Sequence, residues 1–177
     1  MIRKKYTRDY QSETVLSKGG KKTVVTYTGQ YYRFTAEPAV IRRMKLVFCV
    51  LSALSTGVWL AMLLQNVRTQ AKSWMFLLPT VLCAPVVFYE LMGLWRLMTA
   101  GERVTREHHD KLYLRLRAVG AAQIALGALT LAGAVAMAAS NPFSARNLLL
   151  CLGAALWALC GAARVLLGKN LRMEAEQ

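Results

Sequence analysis

The chain alternates between long apolar stretches and short polar ones, and this pattern predicts its architecture. The mainly apolar stretches are 44–64, 74–98, 116–139 and 147–168. A transmembrane helix needs about 20 such residues. A chain of 177 residues has too little interior to bury four helices that are apolar on every side. The pattern therefore predicts an all-α membrane protein in which four transmembrane helices form a bundle.

The polar segment before the first span has the composition of a small β-hairpin. Its run of β-branched and aromatic residues, Val24–Thr28, favours a strand. Ser17–Gly20 favours a turn, because glycine accepts positive φ without a Cβ clash. We expect one strand before Ser17 and another over Lys21–Thr28. Since a lone hairpin is marginal in water, it would have to dock on the membrane domain, a second copy or a partner. The alternative is a disordered basic tail.

These elements divide the chain into three parts: a basic N-terminal segment (1–43), a transmembrane domain (44–168) and a short tail (169–177). The first apolar stretch begins only at Met44 and is too long for the apolar region of a signal peptide. We therefore expect it to be retained as an uncleaved anchor. Proline suits the first position of a helix, so Glu37-Pro38 predicts a helix start. Thr105 is placed to cap another.

The positive charge, +14 in total, is unevenly distributed between the two ends of the spans. Of the 23 Lys and Arg residues, 20 fall in 1–45, 96–117 and 164–177. The loops on the other side hold only Arg68, Lys72 and Arg146. Cytoplasmic loops of membrane proteins carry such an excess of Lys and Arg. The distribution predicts a multi-pass protein of the plasma (cell) membrane with both termini in the cytoplasm (N-in/C-in).

The same charge indicates the class of partner. Arg42, Arg43 and Lys45 immediately precede or begin the first span, where they would form a basic collar at the headgroup level. Anionic headgroups of the bilayer are the expected partner, since the spans tether this charge beside a membrane. We expect no nucleic-acid partner. A homo-oligomer and a larger membrane complex both remain open.

One carboxylate, Glu90, lies within the second span. A charged side chain at mid-bilayer costs about 2.5–3.5 kcal/mol on insertion scales. Three polar side chains of spans 3 and 4 reach a similar depth or the mouth of the bundle: Gln123, Arg117 and Arg164. Glu90 could form a buried pair with Arg164 or Arg117 that fixes helix register. It could instead be a proton, cation or substrate site, or a protonated group facing lipid.

Two further patterns concern helix shape and packing. Pro79 and Pro85 lie in the second span, and each removes a backbone donor and clashes with the carbonyl four residues earlier, so we expect a bend. Spans 3 and 4 each carry a small-xxx-small row, which permits close approach. The rows are Ala128, Ala132 and Ala136 in span 3 and Ala154, Ala158 and Ala162 in span 4.

Motifs for catalysis or metal binding are not evident. Glu107–Asp110 has residue types that bind metals, but adjacent histidines on a helix point about 100° apart, and no third ligand follows at a recognised spacing. We expect a solvated connector there, no metal site and no cofactor. No nucleophile elbow, zinc-protease motif or phosphate loop occurs.

The sequence favours a non-catalytic integral membrane subunit or scaffold that acts through its basic cytoplasmic N-terminal segment. The alternative is a small oligomeric transporter or channel that uses the intramembrane carboxylate Glu90. A membrane-embedded enzyme with dispersed catalytic residues is the third hypothesis. Because many unrelated proteins share four spans with short loops, this shape implies no particular activity.

Overall fold

The structure is a computed structural model that describes residues 4–17, 20–69, 74–140 and 145–176. Four long helices make up most of it: α1 (Pro38–Thr69), α2 (Trp74–Thr99), α3 (Arg106–Ser140) and α4 (Ala145–Gly168). Each is long and apolar enough to cross a membrane. The four-helix prediction is confirmed to this extent. The predicted starts are also correct, since α1 begins at Pro38 and α3 begins directly after Thr105.

The predicted hairpin is present. Strands β1 (Tyr10–Ser17) and β2 (Gly20–Tyr27) pair antiparallel, with Tyr10 opposite Tyr27. A short 3-10 helix, Lys4–Asp9, precedes them. The central turn residues 18–19 lie outside the described residues, as do parts of the two loops predicted at 65–73 and 140–146.

A second sheet was not predicted from the sequence. Strands β3 (Tyr31–Phe34), β4 (Arg103–Thr105) and β5 (Met173–Ala175) form it in the order β4-β3-β5, all antiparallel. It joins the N-terminal segment, the α2–α3 connection and the tail after α4. The connection between α2 and α3 and the short tail therefore each contribute a strand, whereas the predicted connector Glu107–Asp110 lies in the first turns of α3. We call this end of the bundle the sheet end.

The helices form a closed ring in which α1 and α3 each pack against both α2 and α4. The contact between α3 and α4 is the most extensive, as the sequence predicts. Its basis is as predicted for α4, whose row contributes Ala158, but not for α3, whose row Ala128, Ala132, Ala136 is exposed. Glycine makes the approach instead: a Cβ on Gly127 would lie 2.7 Å from the Cβ of Ala158. The two helices can come this close because Gly127 has no Cβ that would clash with Ala158.

Two apolar clusters fill the interior of the ring. Phe48 and Leu112 belong to the cluster at the sheet end, and Phe76 and Trp157 belong to the cluster towards the opposite end. Along the four helices a few buried polar side chains lie between these clusters. The outer faces of the helices are largely leucine, valine and aromatic. The bundle is thus apolar outside, and its buried charged side chains lie at one internal level; Thr80, Thr130 and Asn147 are buried at other levels.

Candidate functional site

Glu90 lies at the centre of that internal polar level and is 4% exposed. Its Oε1 accepts a hydrogen bond from Ser55 Oγ at 2.7 Å, and its Oε2 accepts one from Gln123 Nε2 at 2.7 Å. Arg164 Nη2 also donates to Oε1 and forms an ion pair with the carboxylate. Both carboxylate oxygens therefore have partners, which offsets part of the cost of burying the charge.

Arg164 completes the arrangement from α4 and is 2% exposed. Its Nη1 donates to Gln123 Oε1 at 2.9 Å, and its Nη2 reaches Ser52 Oγ at 3.2 Å and Ser55 Oγ at 3.1 Å. All four helices contribute to this group, which we call the polar cluster: Ser52, Ser55, Glu90, Gln123 and Arg164. One donor is left over, since the buried Nε of Arg164 has no hydrogen-bond partner among the described residues.

The polar cluster can fix the position of the four helices along one another. Its one carboxylate and one guanidinium cancel in formal charge, and sliding any helix would break at least one of its hydrogen bonds. Both oxygens of the Glu90 carboxylate are thus engaged by donors from the other three helices.

Arg117, the other predicted partner of Glu90, is not part of the cluster. It is exposed and lines a cavity at the sheet end. Arg117 precedes Gln123 by six residues on α3. At about 1.5 Å and 100° per residue, this spacing places it about 9 Å nearer the sheet end and on another face of the helix.

Ser52 and Ser55 were not among the predicted site residues, but the structure places both in the cluster. From spacing alone, Thr56 is as good a neighbour of Ser52 as Ser55 is. The Oγ1 of Thr56 is buried without a partner among the described residues. Residues three apart share a helix face as well as those four apart do, so the available signal was ambiguous.

The two prolines lie inside α2, which is continuous from Trp74 to Thr99. Pro79 is buried and Pro85 is exposed. Five residues before Pro85, the carbonyl of Thr80 accepts a hydrogen bond from Trp59 Nε1 at 2.8 Å. A neighbouring helix thus supplies a donor beside the disturbed turn. The bend itself stays a prediction.

The predicted basic collar separates into two kinds of residue. Arg42 and Arg43 are exposed. Lys45 instead donates to the carbonyl oxygens of Ala100 at 2.7 Å and Met98 at 3.4 Å. These carbonyls lie at the C-terminal end of α2. Lys45 therefore caps that helix, and its positive charge interacts favourably with the negative end of the helix dipole.

Tyrosines attach the hairpin to the start of α3. The Tyr27 hydroxyl accepts a hydrogen bond from the Arg106 N–H at 3.1 Å and donates to the Gln30 carbonyl at 2.8 Å. Tyr6 donates to Asp110 Oδ2 at 2.9 Å. Burial raises the pKa of the Tyr27 phenol, so it remains protonated and able to donate at neutral pH. The hairpin is therefore held at a fixed place on the sheet end.

The two histidines of the predicted connector take separate structural positions. His108 Nε2 lies 3.0 Å from the Arg96 carbonyl oxygen, and the His109 ring stacks on Tyr32 with centroids 4.3 Å apart. Within the described ranges, no group of three His, Cys, Asp or Glu side chains is placed to hold a metal ion.

The chain matches no model of a protein family, no curated protein and no solved structure.

Proposed function

We propose that this protein is a non-catalytic subunit or scaffold of the plasma membrane that presents its N-terminal hairpin to a partner protein on the cytoplasmic side. The observation that carries the proposal is the hairpin itself. It is fixed to the bundle through Tyr6 and Tyr27, yet Val24 and Val25 are 42% and 55% exposed. Adjacent strand residues point to opposite faces, so each face of the hairpin presents a valine.

The free strand edges of the hairpin support the same proposal. In the described part of the chain, β1 and β2 pair only with each other. Unpaired strand edges are templates for another chain, and a two-stranded hairpin is stabilised by further contacts. A partner strand or an apolar surface would complete the module.

Insertion of the four helices in a bilayer is supported by their outer surfaces. Leu114 is 71% exposed, and Trp74 and Trp95, near the two ends of α2, are 69% and 72% exposed. In water such surfaces would associate, whereas in a bilayer leucine suits the hydrocarbon and tryptophan suits both interfaces.

The cytoplasmic orientation is supported by the sheet end. β3, β4 and β5 come from the three segments that carry 20 of the 23 Lys and Arg residues. The basic segments therefore lie together at one end, and the positive-inside rule assigns that end to the cytoplasm.

The polar cluster favours the scaffold over the transporter hypothesis. A transport carboxylate must exchange its ligand with water, but Glu90 is buried and both of its oxygens are engaged. Its pairing with Arg164 stabilises the bundle that carries the hairpin.

Site-specific photo-crosslinking in native membranes tests the proposal. A photoreactive residue at Val24 or Val25 should give a discrete protein adduct. The matched control is Leu60, which is exposed on α1 away from the sheet end and should give no such adduct. Absence of adducts at both valines would refute the hairpin role. Proton flux in liposomes that disappears in Glu90→Gln would favour the transporter.

A further inference from the structure

A cavity lies at the sheet end and shares Arg164 with the polar cluster. It has a volume of about 330 Å³ and lies between the first turns of α3, the last turns of α4 and the tail that follows. Ligand pockets in proteins span about 300–1,000 Å³. The cavity is therefore large enough for a polar headgroup and the start of a chain, but too small for a whole lipid.

The charge of this lining is all of one sign. Its cationic side chains are Arg117 and Lys169, together with Arg164, whose charge Glu90 balances from outside the lining, and none of the described lining residues is acidic. The groove beside Arg42 differs, because Glu37 and Glu102 line it together with the cations. The cavity is thus complementary to an anion.

Arg164 supplies a second observation that points to a ligand. It lines the cavity and is 2% exposed, and its Nε has no hydrogen-bond partner among the described residues. Glu90 balances the charge of Arg164, but the buried Nε–H still lacks an acceptor, and an unsatisfied buried donor costs free energy. An anion in the cavity would lower that cost through its field on the guanidinium.

Apolar side chains beside the cations show what kind of anion fits. Leu112, Leu116 and Val165 line the same cavity. Its depth also fits a lipid: Arg117 lies about 9 Å from the level of Gln123, and Lys169 about 8 Å from that of Arg164, both towards the sheet end. Basic pockets between transmembrane helices at this level suit lipid headgroups.

We propose that the cavity between α3 and α4 binds one anionic phospholipid, with its phosphate between Arg117 and Lys169 and its upper acyl chain against Leu116 and Val165. The inference assumes from the proposed function only that the helices span a bilayer. It does not depend on the hairpin or its partner. Such a lipid would tie α3 to the tail that forms β5.

Native mass spectrometry of the full chain in neutral detergent tests this site. Phosphatidylglycerol and phosphatidylcholine with identical acyl chains are offered at equal concentration. The wild type should retain one phosphatidylglycerol in preference. The double substitution Arg117→Gln/Lys169→Gln should weaken this binding by about tenfold or more, since each basic residue contributes to the attraction of an anionic headgroup. Arg117→Lys/Lys169→Arg keeps the charge and should keep the preference.

The control is Arg106→Gln/Arg172→Gln, which removes the same charge from exposed positions of the sheet end outside the cavity lining. It should leave the preference unchanged. Equal losses in both double variants would show diffuse surface attraction and overturn the site. Equal retention of the two lipids by the wild type, or equally tight competition by glycerol 3-phosphate, would overturn the lipid assignment.

Two measurements distinguish loss of the lipid site from general destabilisation and from loss of the scaffold role. Arg117 and Lys169 are exposed, so their double variant should melt at the wild-type temperature in phosphatidylcholine. An unchanged melting temperature with lost phosphatidylglycerol binding supports the site. Selective lipid binding without hairpin adducts would sustain this inference while refuting the scaffold role, and the converse result would do the opposite.

Discussion

The Glu90 carboxylate on α2 and the Arg164 guanidinium on α4 form an ion pair inside the bundle across 74 residues of sequence. Gln123 bridges the two, accepting from Arg164 Nη1 at 2.9 Å and donating to Glu90 Oε2 at 2.7 Å. The pair and its bridge connect three helices at one level. Its energetic role can be tested by removing one partner, both partners or the bridge.

Glu90→Gln should destabilise the bundle. The substitution leaves the Arg164 charge buried without its counter-charge, and breaking one side of a buried pair typically costs about 3–5 kcal/mol. Glu90→Leu combined with Arg164→Leu should recover much of the loss. Thermal unfolding in a fixed neutral detergent measures both, with the exposed Glu102→Gln as the control. A Glu90→Gln protein that melts like the wild type would contradict the structural role.

Gln123→Leu should cost less than Glu90→Gln, about 1–3 kcal/mol. It removes the acceptor of Arg164 Nη1 and the donor to Glu90 Oε2 but leaves the ion pair in place. The same unfolding assay gives the comparison. The adjacent Ile124→Leu, at a position 39% exposed, is the control and should be near neutral. If Gln123→Leu lowers the stability more than Glu90→Gln does, the Gln123 bridge rather than the ion pair makes the larger contribution to the stability of the bundle.

Gly127→Ala should destabilise the α3–α4 contact by about 1–3 kcal/mol, because the new Cβ would lie 2.7 Å from that of Ala158 and force the helices apart. Gly57→Ala in α1 is the matched control. A Cβ there meets no atom within 4 Å, so the change should be neutral or slightly stabilising. Equal effects in the two proteins would mean that close approach is not the reason for Gly127.

Tyr27→Phe should loosen the hairpin without unfolding the bundle. It removes the hydroxyl that accepts from the Arg106 N–H and donates to the Gln30 carbonyl, each bond contributing about 0.5–1.5 kcal/mol. Hydrogen exchange should rise across residues 10–27 and stay unchanged in the helices. Tyr31→Phe keeps the ring that packs edge-on against Tyr27 at 4.9 Å and serves as control. Unaltered exchange in Tyr27→Phe would show that the hydroxyl does not hold the hairpin.

The proposed orientation predicts which cysteines an impermeant maleimide reaches in intact cells. In a background without the four native cysteines, Thr69→Cys should label from outside and Ser12→Cys only after the membrane is permeabilised. The charge distribution is the reason, since Ser12 belongs to the basic end. Labelling of Ser12→Cys in sealed cells would place the hairpin outside and refute a cytoplasmic partner.

Much of the polar cluster could be foreseen from single residues. Glu90, Gln123 and Arg164 stand out because ionisable and amide groups are rare in apolar spans. Their depth along each helix follows from counting residues at a fixed rise. Rotation about the helix axis does not follow from depth, and this is why Arg117 remained a candidate partner and Ser55 was overlooked. The prediction that the row Ala128, Ala132, Ala136 lies in the contact between α3 and α4 was wrong for the same reason.

The sequence by itself determined the four helices, their starts at Pro38 and after Thr105, and the hairpin. These features depend on local physics: the length of apolar runs, the fixed φ of proline, the capping hydroxyl and the strand preference of β-branched residues. Only the tertiary structure decided the three-stranded sheet of β3, β4 and β5, because its short strands carry little local signal and pair across more than 60 residues of chain. It also decided which cation meets Glu90, since that choice depends on how four helices rotate and pack at once.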